Sequence, residues 1–154
     1  MRKMYNKQLN QGHNFTFEYN GIARALHTPV RIESAINTQD IIEIDGLWDT
    51  GAGCSLIRPE VASRLNLQRV SETFISTPSG KDIPSKVYIV NLSLPNDAKI
   101  LSLLVVEGIP NSCDMLIGMD VINHGDFAIS NFDGKTTFSF RIPSLTKIDF
   151  CKDL

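Results

Sequence analysis

Residues 47–57 read LWDTGAGCSLI. Two apolar pairs, Leu47-Trp48 and Leu56-Ile57, enclose an aspartate, a threonine and two glycines. A carboxylate beside apolar surface is costly to leave charged and unpaired. Burial of that kind is also how proteins tune carboxylates for acid–base work. Just upstream, the apolar-rich stretch before Leu47 carries a turn signal at Asp45-Gly46. Read locally, Asp49-Thr50-Gly51-Ala52 is a β-turn in which Asp49 caps its own backbone and Gly51 supplies a positive φ.

Working outward, the dominant pattern is alternation with period two. Phe15, Phe17 and Tyr19 alternate with Thr16 and Glu18, and Val30 and Ile32 with Arg31 and Glu33. Tyr88, Val90, Leu92 and Leu94 alternate with Ile89, Asn91 and Ser93, and Phe138, Phe140 and Ile142 with Ser139 and Arg141. Short runs of this kind are half-buried strands of an antiparallel sheet. Leu101 to Val106, broken by Ser102, and Met115-Leu116-Ile117 are continuous apolar runs, which predict strands covered on both faces. Turn chemistry recurs at Asn20-Gly21, Pro78-Ser79-Gly80, Pro95-Asn96-Asp97 and Asp133-Gly134. The clear helix signal is residues 58–65, with Pro59 at the first position, Glu60 in the first turn, and Val61 and Leu65 four apart. A second short helix is expected near Asp120. The expectation is an all-β fold, a closed or nearly closed barrel with one or two short helices. Residues 1–14 read as a mobile N-terminal segment and residues 15–154 as the domain.

Bulk properties narrow the classes. At 154 residues, with 42% hydrophobic and 21% charged residues, the chain is long enough to bury a core. A formal net charge of −2 gives no pull toward nucleic acid or an anionic membrane, and no apolar stretch approaches bilayer-spanning length. The basic start lacks an apolar segment behind it, so it does not read as a secretory signal. Cys54, Cys113 and Cys151 are odd in number and lack paired spacing. That argues against a disulfide framework or a zinc site and for a reducing, cytoplasmic setting.

Two elements together carry a resemblance. Asp49-Thr50-Gly51-Ala52 preceded by apolar residues, followed later by Leu116-Ile117-Gly118 and a short helical stretch, is similar to the retropepsin-like aspartic proteases, in particular their bacterial and cellular members. The similarity spans about residues 30–142. It implies a retropepsin-like closed β-barrel and an aspartic endopeptidase whose catalytic motif is Asp49, Thr50 and Gly51, with Leu116, Ile117 and Gly118 packed behind it in a ψ-shaped loop. Hydrolysis of an amide without a metal or a covalent intermediate requires two carboxylates sharing a proton, one activating water and one polarising the carbonyl. With one such motif per chain, the second carboxylate comes from a second copy, which makes a homodimer part of the mechanism. The resemblance further implies that Thr50 bonds across the dimer, that Gly51 lets water and substrate approach, and that Ala52 and Gly53 line the substrate cleft. It implies a β-hairpin flap, placed at residues 73–83 with Pro78, Ser79 and Gly80 near its tip. The expected partner is a peptide or protein substrate, with no metal and no cofactor.

Two departures stand out. Retroviral members carry an acid just after the alanine and an arginine just after the second glycine; here these positions are Gly53 and Met119, so the charge pair is missing as a unit. Their dimer interleaves terminal strands, for which the FSFRIP stretch and the Ile148–Phe150 tail are the candidates here. Among other residues, Cys54 reads as a small hydrophobe, His13, His27 and His124 as scattered histidines, and Trp48 as core packing. Asp114, Asp120 and Asp126 read as solvated turn acids and a helix cap. Two competing readings remain open at this level: a retropepsin-like dimeric peptide-binding module with little or no proteolysis, and a small barrel with a coincidental turn.

Overall fold

The structure is a computed structural model that describes residues 3–6, 13–37, 40–76, 80, 82–95, 97–110 and 112–152. In chain order its strands are β1 (Lys3–Asn6), β2 (His13–Glu18), β3 (Leu26–Ser34), β4 (Ile41–Trp48) and β5 (Leu56–Ile57), then β6 (Ser71–Ser76), β7 (Asp82–Ser93), β8 (Lys99–Glu107), β9 (Met115–Ile117), β10 (Asp126–Ser130) and β11 (Thr137–Ile142). Helices α1 (Pro59–Arg64) and α2 (Met119–Ile122) are both short. Two compact units are distinguished: Ala25–Val121, and Met1–Arg24 with Ile122–Leu154. Among the described residues no helix is long and apolar enough to cross a membrane.

The Ala25–Val121 unit is a closed six-stranded barrel in the order β3-β4-β9-β5-β8-β7, with β7 returning to β3. Closure leaves no unpaired edge in the ring. Its alternation follows the sequence: Leu26, Thr28, Val30, Ile32 and Ser34 of β3 are buried, with less buried residues between them. α1 begins at Pro59 as expected and buries Val61 and Ala62, with Leu65 buried just after it; Asn66 then takes a left-handed φ of 46°, a common way to stop a helix.

Two expectations for this unit are corrected. Asp45-Gly46 is not a turn but lies inside β4, opposite Pro29 and Thr28. A Cβ at Gly46 would fall 2.7 Å from Ile117 Cδ1 and 3.3 Å from Val30 Cγ2, so the glycine is there for close packing. β8 is not covered on both faces, since Leu101 and Leu104 are 65% and 55% exposed. A bulge explains the broken alternation. Val90 pairs with Leu103 and Leu92 with Ile100, so Asn91 faces two residues. Ser102 takes a φ of 57° there and donates its N–H to Asn91 Oδ1 at 3.1 Å.

The other unit is a four-stranded sheet in the order β1-β2-β11-β10. Phe15 pairs with Phe140 and Phe17 with Phe138, and all four rings are at most 3% exposed. Phe15 meets Phe138 edge-on, with centroids 5.7 Å apart and planes at 80°. The FSFRIP stretch proves to be β11, in the sheet interior with β2 and β10 on either side; Ile148–Phe150 forms no strand. Both edges of β11 are therefore occupied within the chain, and it is not a free strand for interleaving with a partner. On the alternate positions of this sheet, Thr16 and Ser139 share a 2.8 Å hydroxyl hydrogen bond.

Asp126 is not a solvated turn acid. It accepts from Arg141 Nε at 2.9 Å, from the second Arg141 nitrogen, from the Ser144 hydroxyl and from the Leu145 amide at 3.0 Å. Burial works to raise its pKa, but the Ser144, Leu145 and Arg141 donors outweigh it and bring the carboxyl from an ordinary 3.8 down to about 2. The folded chain thus binds this proton less readily than the unfolded one. Its stabilising contribution is present above pH 3.8 and lost as pH falls toward 2. Asp126→Asn should lower the urea midpoint at pH 7, with the gap to wild type closing across that interval. A gap that stays constant down to pH 2 would contradict the assignment.

Candidate active site

The site follows from how β9 is threaded. β4 runs Ile41–Trp48 into Asp49, the chain loops out, and β5 returns at Leu56, but the two strands are not neighbours. β9 lies between them, parallel to β4 with Trp48 opposite Ile117, and antiparallel to β5 with Leu56 opposite Leu116. The 49–55 loop therefore arches over the end of β9, the ψ-shaped arrangement implied by the sequence resemblance.

Three hydrogen bonds fasten the arch. Asp49 N–H donates to the Ile117 carbonyl at 2.9 Å, Met119 N–H donates to the Ala52 carbonyl at 2.8 Å, and Gly118 N–H donates to the Ser55 hydroxyl at 3.1 Å. Gly118 is required sterically. An added Cβ would lie 2.7 Å from the carbonyl carbon and oxygen of Cys54 and 2.9 Å from the Ala52 oxygen, all backbone atoms that cannot swing aside. Gly46 and Gly118 thus do related work at the two ends of β9, letting chain pass close to chain.

Asp49 itself is half-buried rather than enclosed, while Trp48 and Ile57 are buried and Leu47 and Leu56 half-buried. The Trp48 indole N–H donates to the buried Thr28 hydroxyl at 2.9 Å, a core role. Asp49 Oδ1 accepts the Gly51 N–H at 2.8 Å, and its carbonyl accepts the Ala52 N–H at 3.3 Å, so the self-capping turn is present. Gly51, however, does not take a positive φ, and that part of the local reading is corrected. Among the described residues nothing else hydrogen-bonds the Asp49 carboxylate or the exposed Thr50 hydroxyl. Gly53 is exposed with open space where its Cβ would be.

The hairpin expected at residues 73–83 is formed by β6 and β7, paired from Ser71↔Val87 to Ser76↔Asp82. Gly80 has a φ of 75°, while Pro78 and Ser79 lie outside the described residues. Phe74 and Ile83 on this hairpin are 70% and 50% exposed. At its base, where β7 meets β8, the Tyr88 hydroxyl donates to Glu107 at 2.6 Å and Lys86 pairs with the same carboxylate at 3.1 Å.

No sequence signal singles out Ser55, and Asp120 reads there only as a turn acid or helix cap. Ser55 is fully buried, and the half-buried Asp120 accepts from both its N–H and its hydroxyl. Neither residue is in a local motif and 65 positions separate them, so only the fold brings them together. His27 is likewise not isolated, since its Nδ1 lies 2.6 Å from Asp45 Oδ2. The three cysteines are free, with Cys54 and Cys151 exposed and Cys113 buried. Among the described residues no cluster of three metal-binding side chains occurs.

A closed six-stranded barrel with an Asp-Thr-Gly arch over an apolar-apolar-Gly strand defines the retropepsin-like class. Over residues 32–124, well over half its length, the chain matches the family described as "gag-polyprotein putative aspartyl protease". It belongs to that family of retropepsin-like aspartic proteases. Among solved structures, it is similar to a retropepsin-like aspartic protease from Rickettsia conorii. That pair has 12% identity and a TM-score of 0.54, covering 88% of this chain and 99% of the other. It also aligns with the EIAV protease bound to the inhibitor HBY-793 (24% identity, TM-score 0.48, 68% and 89% coverage). A third match is the retroviral protease-like domain of Ddi1 from Leishmania major (16%, 0.45, 86% and 100%). No curated protein matches in sequence.

Two outcomes test this geometry. Gly118→Ala should cost about 2–4 kcal/mol of stability, since backbone must move to admit the methyl; a chemical-denaturation midpoint equal to wild type would contradict the close approach. Cys54 is exposed as a residue, but partial burial around its sulfur, and after it the Asp120 carboxylate, push the thiol above its usual pKa. In a Cys151→Ser background, Asp120→Asn should therefore speed alkylation of Cys54 by iodoacetamide at pH 7.5, and an unchanged or slower rate would remove Asp120 from the thiol's surroundings.

Proposed function

We propose that this chain is an aspartic endopeptidase that acts as a homodimer, with Asp49 of each copy forming a dyad. The observation that carries the reading is the state of Asp49: its backbone is fixed to Ile117, one carboxylate oxygen is held by Gly51, and the other has no partner among the described residues. A carboxylate so held is positioned for water or a second carboxyl. There is one such motif per chain, so a two-fold copy supplies the other half.

In this reading one carboxylate of the dyad takes a proton from water while the protonated one donates to the scissile carbonyl. A tetrahedral intermediate results, and the same pair returns a proton to the leaving amine. Thr50 reaches its twin across the two-fold axis. Ala52 and Gly53 border the peptide, and the open space beside Gly53 supports that role. The β6–β7 hairpin serves as the flap, with Gly80 near its tip; its exposed Phe74 and Ile83 offer apolar surface to a peptide.

Asp49→Asn is expected to reduce cleavage of a peptide library to background across acidic to neutral pH while leaving the thermal transition and the sedimentation profile unchanged. Retained cleavage would reject the assignment. Binding of peptides by wild type without any hydrolysis would favour a peptide-binding module instead, and a strict monomer with no cleavage would remove the dyad.

A further inference from the structure

Between Asp49 and Ser55 the arch has little of its own to hold it. Thr50, Gly51, Gly53 and Cys54 are exposed, and Ala52 is half-buried. Position is set where the arch meets residues 117–120: at the Asp49 amide, at the Ala52 carbonyl, and at Ser55. The third fastening differs from the others in using side chains and a charge. Ser55 donates its backbone N–H to Asp120 Oδ2 at 2.8 Å and its hydroxyl to Asp120 Oδ1 at 2.7 Å, while the same hydroxyl accepts the Gly118 N–H at 3.1 Å. Both carboxylate oxygens thus grip one residue, and hydrogen bonds to an ionised acceptor are about twice as strong as neutral ones. Asp120 Oδ1 also lies 3.0 Å from the Val121 amide, which fixes the carboxylate to the first turn of α2.

The grip closes a ring, from Asp120 through Ser55 to Gly118 and back along the chain through Met119. That ring includes the glycine whose neighbour Ile117 holds the Asp49 amide and the methionine that holds the Ala52 carbonyl. It stands in the segment where the two charged positions of the retroviral pattern are replaced by Gly53 and Met119. We propose that Asp120 is a positioning residue of the active site: through the buried Ser55 it holds the 49–55 arch, and hence the Asp49 carboxylate, in its reactive geometry. This rests on the aspartic-protease reading. Loss of the pair is expected to displace Asp49 while the barrel strands keep their pairing. Misplacement of a catalytic group by about 1 Å costs on the order of a hundredfold in rate.

The test uses the full-length chain with Ser55→Ala, Ser55→Thr, Asp120→Ala and the Ser55→Ala/Asp120→Ala double variant. Ser55→Ala and Asp120→Ala should each lower kcat by about 10–100-fold with KM within about threefold. The double variant should be no worse than the poorer single, because both remove one coupled unit. Ser55→Thr keeps the hydroxyl and should restore most of kcat. Independently of cleavage, Ser55→Ala should accelerate hydrogen exchange of the Asp49 and Met119 amides while β3 and β7 amides keep their protection. If Asp120→Ala does not fold, Ser55→Ala with its threonine rescue carries the same comparison. Unchanged kcat in Ser55→Ala, additive losses in the double variant, or unchanged exchange at Asp49 and Met119 would each overturn the proposal. Absence of cleavage in wild type would sink the protease reading instead, and the exchange measurement would still decide whether Ser55 and Asp120 hold the arch.

Discussion

The arch over β9 exists because residue 118 has no side chain. Parallel pairing of β4 with β9 brings Ile117 beside Trp48, and the chain must then escape beneath the loop that leaves β4. Any Cβ at 118 would strike the Cys54 carbonyl at 2.7 Å. Within the barrel this constraint connects everything nearby. It permits the Met119–Ala52 and Gly118–Ser55 bonds, and it lets β9 separate β4 from β5 without breaking the ring of strands. The same economy operates at Gly46, where Ile117 Cδ1 fills the space a side chain would occupy. One short strand of three residues is thus seated by a glycine at each side of it, and the candidate catalytic loop inherits its position from that seating.

Much of this was legible in the residues. Alternation located β2, β3, β7 and β11, proline at a first helical position located α1, and the pairing of Asp49-Thr50-Gly51 with Leu116-Ile117-Gly118 pointed to the family and the arch. What was misread shares a physical cause: the glycine and apolar signals are ambiguous between local and long-range reasons. Asp45-Gly46 has turn chemistry, yet Gly46 answers to Ile117, far away in sequence. Leu101 and Leu104 look like core, but a bulge at Ser102 turns them outward. Asp114, Asp120 and Asp126 look like solvated turn acids and a helix cap, yet each also accepts a backbone hydrogen bond from a residue distant in sequence: Asp45, Ser55 and Leu145 respectively. Polar pairings formed by topology leave no periodic trace.

The electrostatics around the arch follow from those pairings. Replacing the acid and arginine of the retroviral pattern by Gly53 and Met119 removes both charges at once, so neither strands the other unpaired. Asp120 remains near the arch, and both its oxygens are committed to Ser55. A carboxylate whose acceptors are taken by an amide and a hydroxyl is committed within the chain and offers little to a ligand. Asp49 is the contrast: it is held by its backbone and one oxygen, and among the described residues the other oxygen has no partner. Two carboxylates in one short region therefore differ in their hydrogen-bond partners: both oxygens of Asp120 are engaged, and one oxygen of Asp49 is.

Gly51 sharpens that difference. A glycine in a turn is ordinarily explained by a left-handed φ or by crowding from the rest of the fold, and neither applies here: its φ is not positive, and the nearest atom to a built Cβ belongs to Asp49. That atom is Asp49 Oδ1, at 3.1 Å, the same oxygen that accepts the Gly51 N–H at 2.8 Å. Alanine at this position would bring its methyl against that oxygen, which would have to give by a few tenths of an ångström. The glycine therefore bears on the pose of Asp49 rather than on the path of the chain. A side chain at position 51 would thus act first on the Asp49 carboxylate and the one hydrogen bond that holds it.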